Sequence, residues 1–99
     1  MIIEVFWHPP ITSWFKVNTD GAVTKNPPKA GCGGIFQNNH GFTIGCFAQN
    51  LLTDNAFVAE ISAALIAIEI AHRNSWSNLW LETDSKLTMM AFKNAALIP

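Results

Sequence analysis

Trp14-Phe15-Lys16-Val17-Asn18-Thr19-Asp20-Gly21-Ala22 alternates with a period of two. Phe15, Val17 and Thr19 share one parity, and Lys16, Asn18 and Asp20 share the other. Successive side chains of a strand point to opposite faces, so the stretch predicts a strand with one drier face. The residues that follow place this strand in a sheet. Lys25 to Lys29, with Pro27 and Pro28, reads as a loop. A second strand runs from about Gly31 to Gln37, and Asn38-Asn39-His40-Gly41 supplies residues that tolerate left-handed backbone angles in a turn. A third strand follows from Phe42 to about Asn50, which predicts an antiparallel three-stranded meander.

The period then changes. Leu51 to Asn55 connects, with Thr53, Asp54 and Asn55 as candidate helix caps. Ala56 to Asn74 has no Gly or Pro, and Phe57, Ile61, Leu65, Ile68 and His72 follow helical spacing. Ala63, Ala64, Ala67 and Ala71 would let that helix lie close on a sheet. Leu79 to Thr83 alternates again as a fourth strand, and a second helix is expected from Ser85 to about Ala96. A strand, a helix and a strand make a right-handed crossover, so the fourth strand should run parallel to one already in place. The expected fold class is α/β: a mixed sheet with helices packed on it. Residues 1–13, interrupted by Pro9 and Pro10, read as an irregular entry arm to a domain spanning residues 14–99.

Composition sets limits on this picture. The chain has 99 residues, 49% of them hydrophobic and only 13% charged, which suits one small core and excludes a disordered chain. The net charge of -1 lacks the overall signature of a nucleic-acid binder. No Lys or Arg lies between Lys29 and Arg73, so phosphate contacts fall to a few cations, to backbone amides or to a metal. Cys32 and Cys46 are the only cysteines. A disulfide across the hairpin is geometrically conceivable, and reduced, buried thiols are the preferred reading. No stretch reaches the roughly 18 apolar residues of a membrane span. Glu4 and His8-Pro9-Pro10 break the apolar start, which argues against a secretory signal and for an intracellular protein.

Acidic residues are few, so their positions carry information. Asp20 and Asp84 each follow a strand on its polar parity, and Glu60 lies near the start of the long helix among apolar residues. If the first and fourth strands are neighbours, the two aspartates meet and the helix can bring Glu60 to the same point. Three converging carboxylates repel one another unless a cation sits between them, and oxygen-only ligands suit magnesium or manganese. The plainer alternative is that Asp84 caps the next helix, for about 1 kcal/mol, and that Glu60 favours a helix dipole.

The wording around these acids resembles a known family. Lys16-Val17-Asn18-Thr19-Asp20-Gly21-Ala22 is similar to the first-strand motif of ribonuclease H type 1 domains, particularly the reverse-transcriptase-like version of plant genomes. Trp7-His8-Pro9-Pro10 and Trp14 match the residues that usually precede it there. Gly31-Cys32-Gly33-Gly34-Ile35 resembles the family's glycine-rich second strand, and Ala59-Glu60 with Ala63-Ala64-Leu65 resembles its glutamate-bearing helix. Leu81-Glu82-Thr83-Asp84-Ser85-Lys86 resembles its Glu-x-Asp-Ser signature. Each motif is weak alone; four in the right order are specific.

The resemblance implies a ribonuclease H-like domain that hydrolyses the RNA strand of RNA–DNA hybrids with two Mg2+ or Mn2+ ions about 4 Å apart. Asp20 would bridge both ions, with Glu60 and Asp84 helping to hold the second. Glu60 would also sense the ribose hydroxyl that distinguishes RNA from DNA. Asn18, Gly33, Gly34 and Lys86 would line the nucleic-acid groove. Complete members add a last strand and helix, a mobile His and a fourth acidic residue, and no acid follows Asp84 here. The implied alternative is therefore a catalytically inactive nucleic-acid- or protein-binding remnant of a retroelement-derived gene. Lacking the last strand, the fourth strand should expose a sheet edge open to self-association. His40 reads as a turn residue and His72 as a cover for the helix end. The tryptophans read as core and arm packing rather than base-stacking platforms, which normally accompany a basic groove.

Overall fold

The computed structural model describes residues 2–6, 14–76 and 78–83. Among the described residues, one five-stranded mixed sheet carries one helix. The strands are β1 (Ile2–Phe6), β2 (Phe15–Lys25), β3 (Pro28–Asn38), β4 (Thr43–Leu51) and β5 (Asn78–Thr83), and helix α1 spans Ala56–Arg73. Their order across the sheet is β1-β5-β2-β3-β4. β2, β3 and β4 form the antiparallel meander, and β5 lies parallel to β2 after the crossover through α1. The α/β architecture read from the sequence is the observed one. The second helix expected from Ser85 to about Ala96 lies outside the described residues.

Residues 2–6 depart from the irregular arm expected at the N-terminus. They form β1, antiparallel to β5, from Ile2 opposite Glu82 to Phe6 opposite Asn78. Pro9 and Pro10 forbid regular structure only at and beside themselves, whereas Ile2, Ile3 and Val5 are strong strand formers. An unpaired β5 would leave a row of backbone N–H and C=O groups without partners, and β1 supplies them. The edge expected to be open for self-association is thus occupied from within the chain.

The hairpins are longer than their side-chain patterns. β2 and β3 pair from Phe15 opposite Asn38 to Lys25 opposite Pro28, so only Asn26 and Pro27, joined by a cis peptide bond, form the turn. The predicted loop from Lys25 to Lys29 shrinks because backbone pairing continues beyond the alternating residues. In the β3–β4 turn the Asn38 side-chain oxygen accepts from the His40 and Phe42 amides at 2.9 and 3.0 Å, and Gly41 takes φ +81°. A bulge at Phe36/Gln37 shifts the β3–β4 register.

Asn55 caps α1. Its side-chain oxygen accepts from the amides of Phe57 and Val58 at 2.8 and 3.2 Å, satisfying donors that a helix start leaves free. Ala59, Ala63, Ala64, Ala67 and Ala71 are its buried stripe, while Phe57, Val58 and Leu65 are exposed. Small side chains let the helix axis come close to the sheet. Val17, Phe36, Leu79 and Leu81 meet Ala64, Ala67 and Ala71 in the core, with Phe15, Phe47 and Trp76 packed around them. Among the described residues no helix is long and apolar enough to cross a membrane.

Cys32 and Cys46 are both free. Cys32 is buried beside Gln49 in the register, on the parity of Gly34 and Phe36 that faces α1. Cys46 is exposed and lies opposite Ile35, on the other parity. Opposite sheet faces rule out the conceivable hairpin disulfide within one chain. The expectation of buried thiols holds for Cys32 and fails for Cys46, because an edge strand has one neighbour and α1 does not cover that side.

Candidate functional site

β2 meets both β5 and α1, and these two contacts shape the site. Thr83, the last described residue of β5, has Thr19 of β2 as its Cα partner. β2 continues through residues 20–25 with no described strand on that side. Val17 and Thr19 are buried toward α1, while Asn18 and Asp20 are exposed on the opposite face.

Gly21 sets how closely the helix approaches this point. A Cβ added there would lie 2.4 Å from the Ala59 carbonyl carbon and 2.6 Å from the Glu60 backbone nitrogen. Only a residue without a side chain fits, so the backbone bearing Glu60 rests against the residue after Asp20. Glu60 is partly buried and has interaction partners of its own. It lies just past the first turn of α1, which holds no acidic residue. The dipole effect falls off within that turn, so it gives a poor account of Glu60.

The expected site residues fall out as follows. Asp20 is the Cα partner of Gly33, and Asn18 is that of Ile35. Asn18, Asp20, Gly33 and Gly34 line one hollow of ≈ 350 Å³ on and beside the face away from α1. Glu60 approaches from the helix side, by backbone contact at Gly21. Asp84 and Lys86 lie outside the described residues. Among the described residues no three His, Cys, Asp or Glu side chains group closely enough to hold a metal ion. The donor chemistry of Asp20 and Glu60, hard carboxylate oxygens, fits a small divalent cation, with Asp84 as the next candidate in the chain.

Sequence reasoning missed the β4 side. A larger hollow of ≈ 640 Å³ runs from Asp20 across Ala22, Gly31, Gly33 and Ala48 to Asn50. The register places these in adjacent rows, Asp20–Gly33–Ala48 and Ala22–Gly31–Asn50. The small residues were visible in the sequence; their alignment depends on the pairing of three strands.

Nearby charge is mostly committed. Lys16 Nζ lies 2.6 Å from Glu82 Oε2 on the exposed face of the β2–β5 ladder. Trp14 stacks on Trp80 with ring centroids 4.7 Å apart and planes 9° apart, as packing rather than as separate platforms. Trp76 packs against Phe15 and Phe36. His40 sits in the β3–β4 turn, as expected.

The family model described as reverse transcriptase-like matches residues 18–96. The chain belongs to the reverse transcriptase-like, ribonuclease H-like family. A protein of Arabidopsis thaliana named for ribonuclease H is 33% identical over 81 residues, covering 82% of this chain and 13% of that relative. This ribonuclease H-like domain thus spans a small part of the length of the relative it matches. No solved structure matches it at a significant level.

Proposed function

We propose that this domain carries the catalytic carboxylates of a metal-dependent endonuclease that cuts the RNA strand of RNA–DNA hybrids. The observation that carries the reading is the meeting of β2 with both β5 and α1 beside Asp20. Thr19 pairs with Thr83, the residues directly preceding Asp20 and Asp84, while Gly21 holds the Glu60 backbone against the same strand. Parallel strands in register bring consecutive residues to the same level, which favours convergence of the two aspartates.

Asp20, Glu60 and Asp84 would hold Mg2+ or Mn2+. The bound ions would lower the pKa of a water and stabilise the leaving oxygen at phosphorus. Asp20, on the strand that meets both β5 and the Glu60 backbone, would be the ligand shared by the ions. Glu60 is suited to accept a hydrogen bond from the ribose 2′-hydroxyl beside the scissile phosphate. Asn18 can hydrogen-bond along the groove. The low floor of Ala22, Gly31, Gly33 and Ala48 lets a sugar–phosphate backbone come close. Lys86 is the proposed phosphate contact after the Asp84 motif. With so few cations, binding by this domain is weak and falls with salt.

The deciding experiment incubates the purified, folded chain with a labelled RNA–DNA hybrid and Mn2+, beside Asp20→Asn and matched duplex controls. Cleavage of the RNA strand by the parent alone supports the proposal. A folded chain that binds Mn2+ through Asp20 and leaves the hybrid intact refutes nuclease activity and leaves a binding domain.

A further inference from the structure

The buried side of the β2–β5 ladder carries a feature that the carboxylates alone do not explain. Thr19-Asp20 and Thr83-Asp84 are the same dipeptide, and their threonines are Cα partners on adjacent parallel strands. Thr19 is 7% exposed and Thr83 2%, on the face that otherwise presents Val17, Leu79 and Leu81 to α1. The Thr19 hydroxyl oxygen is buried without a hydrogen-bond partner. Valine would fill the same volume, suit a strand equally well and leave no orphaned hydroxyl, so folding alone disfavours threonine here.

The position of the hydroxyl suggests what it serves. Val17, Thr19 and Gly21 occupy successive places on the α1 side of β2. Val17 packs in the cluster with Ala64 and Ala67, whereas Gly21 lies under Ala59 and Glu60. Thr19 therefore lies between them, facing the part of α1 that carries Glu60.

We infer that Thr19 is a positioning residue for Glu60: its hydroxyl donates to the Glu60 carboxylate when that group holds a cation with Asp20. This rests on the metal reading above. A glutamate side chain has several rotors, and a donor behind it selects the arrangement in which its outer oxygen faces the ion. Such partners of metal ligands typically change metal affinity by about 10- to 100-fold when removed.

The test uses the full chain, Mn2+ alone as probe, and Thr19→Val, Thr19→Ser and Asp20→Asn. Free Mn2+ is followed by electron paramagnetic resonance, and the melting midpoint is recorded in chelator. Thr19→Val is expected to melt at or above the parent midpoint without metal, yet to bind Mn2+ about 10-fold more weakly. Thr19→Ser, which restores the hydroxyl, should recover most of that loss. Unchanged Mn2+ affinity in Thr19→Val, a serine variant no better than valine, or a lower midpoint for Thr19→Val in chelator each overturns the inference. Parent binding that Asp20→Asn does not weaken overturns the carboxylate site itself, a result distinct from failure of the Thr19 variants alone.

Discussion

Gly21 and Glu60 meet backbone to strand: a Cβ on Gly21 would sit 2.6 Å from the Glu60 nitrogen and 2.5 Å from the Ala59 carbonyl oxygen. The obstacle is main chain in a capped helix, so no rotamer change relieves it. Gly21→Ala must push the first turns of α1 away from β2, costing about 1–3 kcal/mol as for other overpacked sites. At about 4–8 °C per kcal/mol for a domain of this size, thermal melting should show a clear fall. Gly45→Ala is the control, since nothing lies within 4 Å of its added Cβ. It should be neutral or stabilise by up to about 1 kcal/mol. Equal midpoints for the two variants would remove the close contact from the account of the site.

The β1–β5 ladder makes a second, backbone-level prediction. Neighbouring residues in a strand direct their N–H groups to opposite sides, so one of Glu4 and Val5 donates toward β5 and the other away. Glu4→Pro and Val5→Pro should therefore differ. One should lose about 1–3 kcal/mol by leaving a ladder acceptor unpaired, and the other should lose much less. Urea denaturation of both variants checks this, and two harmless prolines would dissolve β1.

Lys16 and Glu82 form an ion pair on a partly exposed face, with side chains 29% and 34% exposed. Pairs of this kind contribute about 0.2–1 kcal/mol and are screened by salt. Glu82→Gln should cost no more than that at low ionic strength, and the difference should shrink at high salt. Because Glu82 is engaged by Lys16, the same variant should leave Mn2+ affinity essentially unchanged. A large loss of Mn2+ binding would make Glu82 a ligand.

The two thiols should be told apart chemically. A disulfide reagent should find one rapidly reacting thiol, Cys46, in the folded chain and two after unfolding. Burial pushes the Cys32 thiol above its ordinary value of 9.0. The folded state therefore prefers the protonated form. The associated stability is complete below the unfolded value and is lost as pH rises through the higher folded one. Alkaline unfolding curves should show this loss, and Cys32→Ala should flatten that component. Equal reaction rates for both cysteines in the native chain would contradict the burial of Cys32.

Local patterns were enough for much of this protein. The alternation of Phe15, Val17 and Thr19 against Lys16, Asn18 and Asp20 gave the first strand and put Asp20 on its polar side. The Gly- and Pro-free, alanine-rich run from Ala56 gave the helix, and the return to alternation at Leu79 implied the parallel crossover. These features are legible because side-chain period and cap chemistry act over a few residues. Others needed the folded chain. The pairing of Ile2–Phe6 with β5 satisfies backbone groups at the far end of the sequence, and nothing local announces that partner. The opposite faces of Cys32 and Cys46, the row Asp20–Gly33–Ala48 and the orphaned hydroxyl of Thr19 follow from register and helix placement. The sequence by itself determined which residues could serve as acids and which elements carry them. Only the tertiary structure decided that Thr83 pairs with Thr19 and that Gly21 admits the Glu60 backbone, because strand register and helix height are settled by long-range packing.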